Sequence, residues 1–175
     1  MNKKDSDKSQ RSFFDEMFTQ HYPVLYRYGK RIIDDSILVE DAIQNVFVRL
    51  WEKRDTLEIN SHSAYLLASL RREILGLINE NRKETDKVSY NPDVEIRFED
   101  DDFLEKREAK RLRKERISAI LNNLSSRQRE IIYLHFYEGK PYKDIANILD
   151  VNYQSVVNNL HRAFSKIRKV ENEKK

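Results

Sequence analysis

A segment near the C-terminus carries side chains that can recognise bases in DNA. Residues 153–168 are YQSVVNNLHRAFSKIR, and their apolar positions recur at the spacing of one helix face. Asn and Gln pair with the adenine edge in the major groove, while Arg and Lys also hold phosphates. The polar positions about half a turn from the apolar stripe are expected to face a groove, and they are Gln154, Asn158, His161, Arg162 and Ser165.

A polar loop and an aromatic residue in the first half of the chain could hold an unpaired base. The stretch EINSH ends at His62, and Tyr65 follows within one helical turn. An aromatic ring with small polar neighbours can stack on such a base. Ser61 or Ser63 is a suitable N-cap for the helix that follows. Taken alone, Tyr65 is better explained as a partly buried core residue.

A third polar surface lies on the segment VEDAIQNVFVRLWEKR. Asp41, Gln44, Asn45 and Arg49 fall outside its apolar stripe, so a polar helix face is available to a partner. For this segment alone, a surface helix that meets only water is the simpler explanation. The stripe that we expect to be buried comprises Val39, Ala42, Ile43, Val46, Phe47, Leu50 and Trp51.

The base-contacting segment is positioned by a predicted helix-turn-helix. YKDIANIL precedes the three-residue turn DVN, and a long helix follows from Tyr153. Upstream, Ser125 and Gln128 have the spacing of a capping box, which is worth about 1 kcal/mol. Gly139 is expected to close that helix and Pro141 to start the next.

Helical spacing also dominates the first half of the chain. Pro23 interrupts it, and we expect one helix to end there and another to begin. The later segment HSAYLLASLRREILGLINENRK places Leu66, Leu70 and Ile74 on one face, with Arg71 and Arg72 largely elsewhere.

The composition predicts an all-α protein with two small helical domains. Charged residues make up 36% of the chain, while Gly and Pro number only three each. Residues 84–105 hold nine Asp or Glu and two Lys or Arg, which predicts a solvated, acidic, flexible linker. We therefore expect a disordered tail at 1–12, domains at 13–85 and 111–170, a linker at 86–110, and a short tail at 171–175.

Neither catalysis nor metal binding is indicated. There is no Cys, and the four His residues show neither HExxH nor any other metal-ligand spacing. Asp100–Asp102 lack the Gly and the terminal Glu of a calcium loop. No stretch is apolar enough to span a bilayer, and MNKKDSDKSQRS lacks the apolar core that we would expect of a signal peptide. We expect a soluble cytoplasmic protein that is not an enzyme and has no cofactor, no metal and no membrane contact.

Taken in order, these segments resemble the small two-domain RNA polymerase sigma factors of the bacterial extracytoplasmic-function (ECF) group. VEDAIQNVFVRLWEKR resembles their region 2.2, and HSAYLLASLRREILGLINENRK resembles region 2.4. Residues 124–168, from LSSRQREII to SKIR, resemble region 4, so the resemblance covers roughly residues 13–170. It implies a transcription initiation factor that binds core RNA polymerase, at its clamp and flap regions, and promoter DNA.

The resemblance also implies roles for the matching residues. Domain 2 (13–85) would dock on the polymerase through Asp41, Gln44, Asn45, Arg49 and Trp51. It would open and capture the minus-ten element through Asn60, Ser61, His62, Ser63, Tyr65, Arg71 and Arg72. Domain 4 (111–170) would read the minus-thirty-five element through Lys143, Gln154, Ser155, Asn158, His161, Arg162 and Lys166. The linker would thread through polymerase channels normally used by nucleic acid.

The chain departs from the family pattern at four positions. Val157 stands where a basic residue is usual, and Asn159 where another Arg is frequent. Arg72 replaces a common Asn, and Asp150 occupies a turn position that is often Gly. Fewer basic groups at the start of the recognition helix predict weaker or different promoter reading by domain 4. We hypothesise a DNA-tethering partner, such as an activator or a nucleic-acid-guided DNA-binding protein, and an anti-sigma factor is a further candidate partner.

Two alternatives use the same features. In a stand-alone helix-turn-helix regulator, residues 13–85 would serve dimerisation or sensing, and the protein would be a stable dimer on an inverted repeat. A helical adaptor that binds only protein would explain the uncharged start of the recognition helix, but it leaves the basic segments without a role.

Overall fold

The computed structural model describes residues 3–54, 56, 58–83, 96, 98 and 117–172. All regular structure in these ranges is helical, which confirms the predicted all-α class. The chain divides into two compact units, Met1–Tyr90 and Asn91–Lys175. Among the described helices, none combines the length and apolar character needed to cross a membrane.

The first unit contains three helices that all contact one another: α1 (Lys3–Ile32), α2 (Ser36–Lys53) and α3 (His62–Lys83). Each helix turns one apolar stripe inwards, because the apolar residues recur every three or four positions. Six of the seven residues in the predicted α2 stripe are buried, and Trp51 is half-buried. The largest fully buried side chains of the unit are Leu25, Tyr28, Ile43, Leu66, Leu67, Leu70 and Ile74.

The predicted break at Pro23 is wrong, because α1 continues through it. Proline removes one backbone hydrogen bond and crowds the preceding turn, which usually kinks or ends a helix. Here Pro23 is exposed, so water can hydrate the carbonyl that loses its partner. Met17 on one side and Leu25 on the other are buried in the same core, which holds both halves of α1 in place. The N-terminal range predicted as a disordered tail overlaps α1, which begins at Lys3.

The connection from α1 to α2 is short and tightly packed. Asp35 caps α2 by accepting hydrogen bonds from the backbone N–H groups of Ile37 and Leu38 at 2.9 and 3.1 Å. A Cβ at Gly29 would lie 2.7 Å from Cγ1 of Val39, so only glycine permits this close approach of the helices. Nearby, the hydrogen bond from Lys30 lowers the pKa of Asp34 below its ordinary value.

The second unit contains a helical segment α4 (117–122), then α5 (Ser126–Ile132), α6 (Tyr142–Leu149) and α7 (Tyr153–Asn172). α5 continues into a wider π-helical turn, Tyr133–Tyr137. α6 packs against α7, and Ile145, Val156 and Ala163 are fully buried, which agrees with the predicted helix-turn-helix. This unit is therefore a compact helix-turn-helix domain.

Both predicted ends of α5 and its extension are confirmed. The Ser125 hydroxyl accepts from the N–H of Gln128 at 3.4 Å, and the Gln128 side chain accepts from the N–H of Ser125 at 3.1 Å. These two bonds form the capping box. Gly139 has φ +63°, a left-handed conformation that suits glycine. Lys140 then donates its N–H to the carbonyl of Leu134 at 2.9 Å, which closes the turn.

The turn between α6 and α7 contains a left-handed residue at Asp150, the position that is often Gly in the family. Asp150 has φ 53° and ψ 52°, and the N–H of Val151 bonds to the carbonyl of Ala146 at 3.0 Å in a Schellman-type cap. Asn152 then caps α7, because its side-chain oxygen accepts from the N–H of Ser155 at 2.7 Å. The turn is thus fixed on both sides by local hydrogen bonds.

Two residues of the range predicted as linker belong to the second unit. Ile96 and Phe98 are both buried, and the backbone of Phe98 is hydrogen-bonded to Asn122. The rest of 86–110, the range 111–116 and the tail residues 173–175 lie outside the described residues.

Candidate functional site

The polar face predicted on α2 is exposed. Asp41, Gln44, Asn45 and Arg49 all lie on its solvent side. The face also contains an apolar residue that sequence analysis did not select, because 55% of Val48 is exposed between the polar positions. Ile37, one turn before Asp41, is exposed as well. A surface with apolar residues among hydrogen-bonding groups is typical of protein interfaces.

A largely buried carboxylate on α3 holds two of these side chains. Glu73 accepts a hydrogen bond from Nδ2 of Asn45 at 3.2 Å and from Nη2 of Arg49 at 3.0 Å through the same oxygen, Oε1. Its second oxygen, Oε2, pairs with Nη1 of Arg49 at 2.6 Å, so the Arg49 contact is bidentate. Asn45 therefore donates towards α3, which leaves its Oδ1 free to accept a bond from outside this cluster.

Trp51 lies apart from this face. Its ring packs edge-on against Phe14 of α1, with ring centroids 4.7 Å apart, and the guanidinium of Arg54 lies 4.4 Å from its centroid. The ring is therefore half-buried within the first unit. At the opposite end of the helix, desolvation and the neighbouring Glu40 carboxylate raise the pKa of Tyr22 above its ordinary value.

The candidate base-capture residues surround the start of α3. Ser61 is the N-cap, since its hydroxyl accepts from the N–H of Ala64 at 3.2 Å. Asn60 and His62 are exposed beside it, whereas Ser63 and Tyr65 are half-buried. The structure thus brings together five of the seven residues assigned to minus-ten DNA.

The two arginines of that set differ in exposure. Arg72 is exposed and donates from Nε to the carbonyl of Ala68 at 3.3 Å. The expected outward placement of Arg71 is wrong, because only 5% of it is exposed. Arg71 lies four residues from both Leu67 and Leu75, which are buried, so all three share the inner face of α3.

The second candidate DNA surface is the outer face of α7. The five positions predicted to face a groove, Gln154, Asn158, His161, Arg162 and Ser165, are all exposed, as are Lys143 and Lys166. Ser155 is half-buried beside the N-cap, and its carbonyl accepts from Nδ2 of Asn159 at 2.8 Å.

The two amides proposed to read adenine are bonded to each other. Nε2 of Gln154 donates to Oδ1 of Asn158 at 3.0 Å. This bond uses one donor and one acceptor. The Oε1 atom of Gln154 can still accept a hydrogen bond from a partner, and Nδ2 of Asn158 can still donate one. The pair is therefore preorganised on the exposed face of α7.

Sequence analysis missed a set of exposed aromatic rings on the second unit. Tyr153, in the first turn of α7, is 55% exposed, and its ring lies 6.2 Å from that of Tyr142. Phe136 is 58% exposed and meets Phe164 edge-on at 6.0 Å. The sequence did contain a signal for this exposure, because Phe164 falls outside the apolar stripe of α7.

The positive charge of α7 begins only at its tenth residue, Arg162. No Lys or Arg occurs from Tyr153 to His161, whereas Arg162, Lys166, Arg168 and Lys169 follow. The N-terminal end of a recognition helix is the part that enters the groove. The N-terminal end of α7, which is the end expected to face a groove, therefore offers amides and a phenol rather than cations.

Family models match both units. The model described as Sigma-70 region 2 matches residues 17–84, and the one described as Sigma-70, region 4 matches residues 114–167. Together they cover most of the chain, in the order of the two units. The chain belongs to the sigma-70 family. It has the two-region composition of the ECF sigma factors, as its sequence predicted.

Known relatives agree with this assignment. The chain is 24% identical over 159 residues to the RNA polymerase sigma-E factor of Streptomyces avermitilis, covering 89% of this chain and 83% of that protein. The fold is similar to that of the sigma factor RpoE of Bartonella quintana, solved with the anti-sigma factor NepR. That match has a TM-score of 0.61 at 21% identity over 91% of this chain and 96% of the other. CnrH, solved with the cytosolic domain of CnrY, gives a TM-score of 0.57 at 19% identity, covering 95% of this chain and 91% of CnrH.

The family decides between the functions that the sequence left open. As a sigma factor, the protein directs transcription initiation and is not an enzyme, and its partners are core RNA polymerase and promoter DNA. The region 2 match assigns the first unit to a sigma domain. A stand-alone regulator with a sensing domain, and an adaptor that binds only protein, are thereby excluded.

Proposed function

We propose that this sigma factor docks on core polymerase through the exposed face of α2 and reads upstream DNA weakly through α7. A second, DNA-bound protein then helps to place the polymerase at promoters. The observation that carries this proposal is the absence of Lys and Arg from the first nine residues of the recognition helix, Tyr153 to His161.

The docking part rests on the composition of the α2 face. Hydrogen-bonding groups lie in one row on this face, at Asp41, Gln44 and Asn45. Val48 adds an exposed apolar area that binding to a partner would remove from water. Apolar contact supplies the free energy of such an interface, while the polar groups fix its register. Polymerase clamp docking is the role that the family resemblance implies for this helix.

Capture of a minus-ten base is proposed for the start of α3. Asn60 and His62 are exposed there and can reach a base edge. The half-buried ring of Tyr65 is one turn away and is held by the core, so it loses little entropy on stacking. Stacking and edge hydrogen bonds would offset an unstacking cost of a few kcal/mol.

The weak upstream reading follows from counterion release. Each neutralised phosphate contributes a salt-dependent share of DNA affinity, and the slope of log affinity against log salt is about −0.9 per contact. The exposed amides Gln154 and Asn158 can still discriminate adenine, at about 1 to 3 kcal/mol for a good bidentate contact. Domain 4 would thus retain sequence preference while holding DNA loosely.

A tethering partner would supply the missing affinity. An activator or a nucleic-acid-guided DNA-binding protein can do so by raising the local concentration of the sigma factor at the promoter. An anti-sigma factor is a second proposed partner, because the similar RpoE of Bartonella quintana was solved with one.

DNA affinity measured on the purified protein tests this proposal. At physiological salt we expect a Kd in the non-specific range, about 10⁻⁴ to 10⁻⁶ M. The variant Gln154→Arg should bind several-fold more tightly and steepen the salt slope by about 0.9. Gln20→Arg, which adds the same charge on the exposed side of α1, is the control and should change neither. Tight, sequence-selective binding by the unmodified protein would contradict weak reading.

Tethering itself can be imposed. An unrelated DNA-binding domain fused to the C-terminus should raise initiation at least tenfold when its operator lies upstream of the promoter. The same fusion on a template without the operator is the control. Equal transcription from both templates would show that upstream recruitment is not limiting.

A further inference from the structure

An exposed aromatic ring on α1 lies beside the residues proposed to capture a minus-ten base. Phe13 is 50% exposed although its side chain is large and apolar, and its ring meets that of His62 with centroids 6.1 Å apart. His62 is exposed at the start of α3, and the exposed Asn60 lies two residues before it. A helix distant in sequence thus brings a further ring to the proposed base-capture surface.

Phe13 is continuous with two more aromatic rings at this end of the first unit. It meets Phe14 edge-on, with centroids 6.0 Å apart, and Phe14 meets Trp51 edge-on at 4.7 Å. Phe14 and Trp51 are half-buried, so they join this row of rings to the rest of the domain. Single exposed apolar residues are common on protein surfaces, whereas contiguous apolar surface marks an interaction site.

A cation lies at the Trp51 end of this row. The guanidinium of Arg54 is 4.4 Å from the centroid of the Trp51 ring, and its Nη1 donates to the carbonyl of Trp51 at 2.7 Å. Sites for single-stranded nucleic acid combine aromatic rings, on which bases stack, with cations that attract the phosphates. The row therefore contains both components of such a site.

We infer that Phe13 is a base-stacking residue, and that together with His62 it holds one unpaired base of the opened DNA strand. The planes of the two rings lie at 71°, so a flat base that stacks on Phe13 presents an edge towards the imidazole. Imidazole nitrogens can donate or accept a hydrogen bond at such an edge. This role for Phe13 rests on the proposed capture of a minus-ten base, to which it adds a DNA contact from α1.

The stacking surface is formed before DNA binds. Phe13 already contacts both Phe14 and His62, and Ser61 caps the helix that carries His62. Side chains that are already restricted lose less entropy when a ligand binds. Every base has a π-face, so stacking on Phe13 should add affinity without sequence preference, by about 5-fold to 150-fold for one base.

Binding of two single strands to the full-length protein tests this role. The probes are a thymidine strand of about 12 nucleotides and an abasic strand of the same length, which keeps the phosphates but has no bases. Phe13→Leu stays apolar but loses the π-face, so it should weaken binding of the thymidine strand at least fivefold and leave binding of the abasic strand unchanged. Phe13→Trp restores a stacking face and should bind the thymidine strand as tightly as the unmodified protein. Phe18→Leu removes another exposed ring of α1 and is the control, which should change neither affinity.

Two results for Phe13→Leu would overturn its role in stacking. Equal weakening on both strands would show that the loss comes from the fold or from phosphate contacts. Unchanged binding of the thymidine strand would assign the exposed ring to a protein contact instead. His62→Ala and Asn60→Ala separate these failures from failure of the proposed function: if they weaken binding of the thymidine strand and Phe13→Leu does not, base capture stands without Phe13. Equal affinity of the unmodified protein for both strands would contradict base capture and stacking together.

Discussion

Glu73 fixes two of the side chains that domain 2 presents on α2. Its carboxylate is largely buried and binds both Asn45 and Arg49. Residue types and helical spacing predicted the exposed positions on α2, but not this partner, because Glu73 lies 28 residues from Asn45 and only tertiary packing joins them. Arg71 was misplaced for a similar reason, since its burial depends on helices that surround α3.

The Glu73 cluster should contribute measurably to stability. Glu73→Ala should lower the free energy of unfolding by about 1 kcal/mol, because it removes three polar contacts of which the Arg49 end is solvent-exposed. Glu80→Ala, at an exposed position of the same helix, should stay within about 0.5 kcal/mol. Urea denaturation of both variants makes the comparison, and equal losses would show that the cluster adds nothing.

Val48 should be an anchor for the polymerase. Val48→Asp places a carboxylate in the centre of the proposed contact, where its desolvation should weaken binding to core polymerase at least tenfold. Since Val48 is more than half exposed, the fold should remain intact. Thr19→Asp adds the same charge at an exposed site on α1 and is the control in a binding titration. Unchanged affinity of Val48→Asp would place the contact elsewhere.

At the scale of the elements, local rules predicted the helix-turn-helix well. The capping box at Ser125, the turn at Gly139 and the left-handed Asp150 all depend on residues within one or two turns, which a sequence displays directly. The continuity of α1 through Pro23 and the burial of Phe98 beside Asn122 both depend on long-range packing. Neither has a local signal, and so neither could be predicted.

The turn before the recognition helix should respond to backbone conformation. Asp150→Val should destabilise the second unit by about 1 to 2 kcal/mol, because a β-branched residue is strained at φ 53°. Asp150→Gly should be neutral or slightly stabilising, since glycine adopts this conformation without strain. Thermal unfolding of both variants tests the assignment, and similar Tm values for Val and Gly would contradict it.

At the scale of the whole molecule, the two units divide the work of a sigma factor. The first presents an exposed helix face and the loop that we propose captures a base, and the second presents the helix α7, whose first cation is Arg162. The order of the segments predicted this division, because each unit is built from contacts within its own part of the chain. The burial of Ile96 and Phe98 was not predicted, because acidic residues dominate the composition around them and the range 86–110 was predicted to be a solvated linker.

In the proposed function, the α2 face brings core polymerase to promoters that α7 holds only weakly. Run-off transcription with purified core polymerase and the operator-tethered fusion tests it most directly, with Val48→Asp and Thr19→Asp made in the same fusion. We predict operator-dependent transcripts from the parent fusion and from Thr19→Asp, and at least tenfold fewer from Val48→Asp. Equal transcription from Val48→Asp, or no transcript from the parent fusion, would contradict the account.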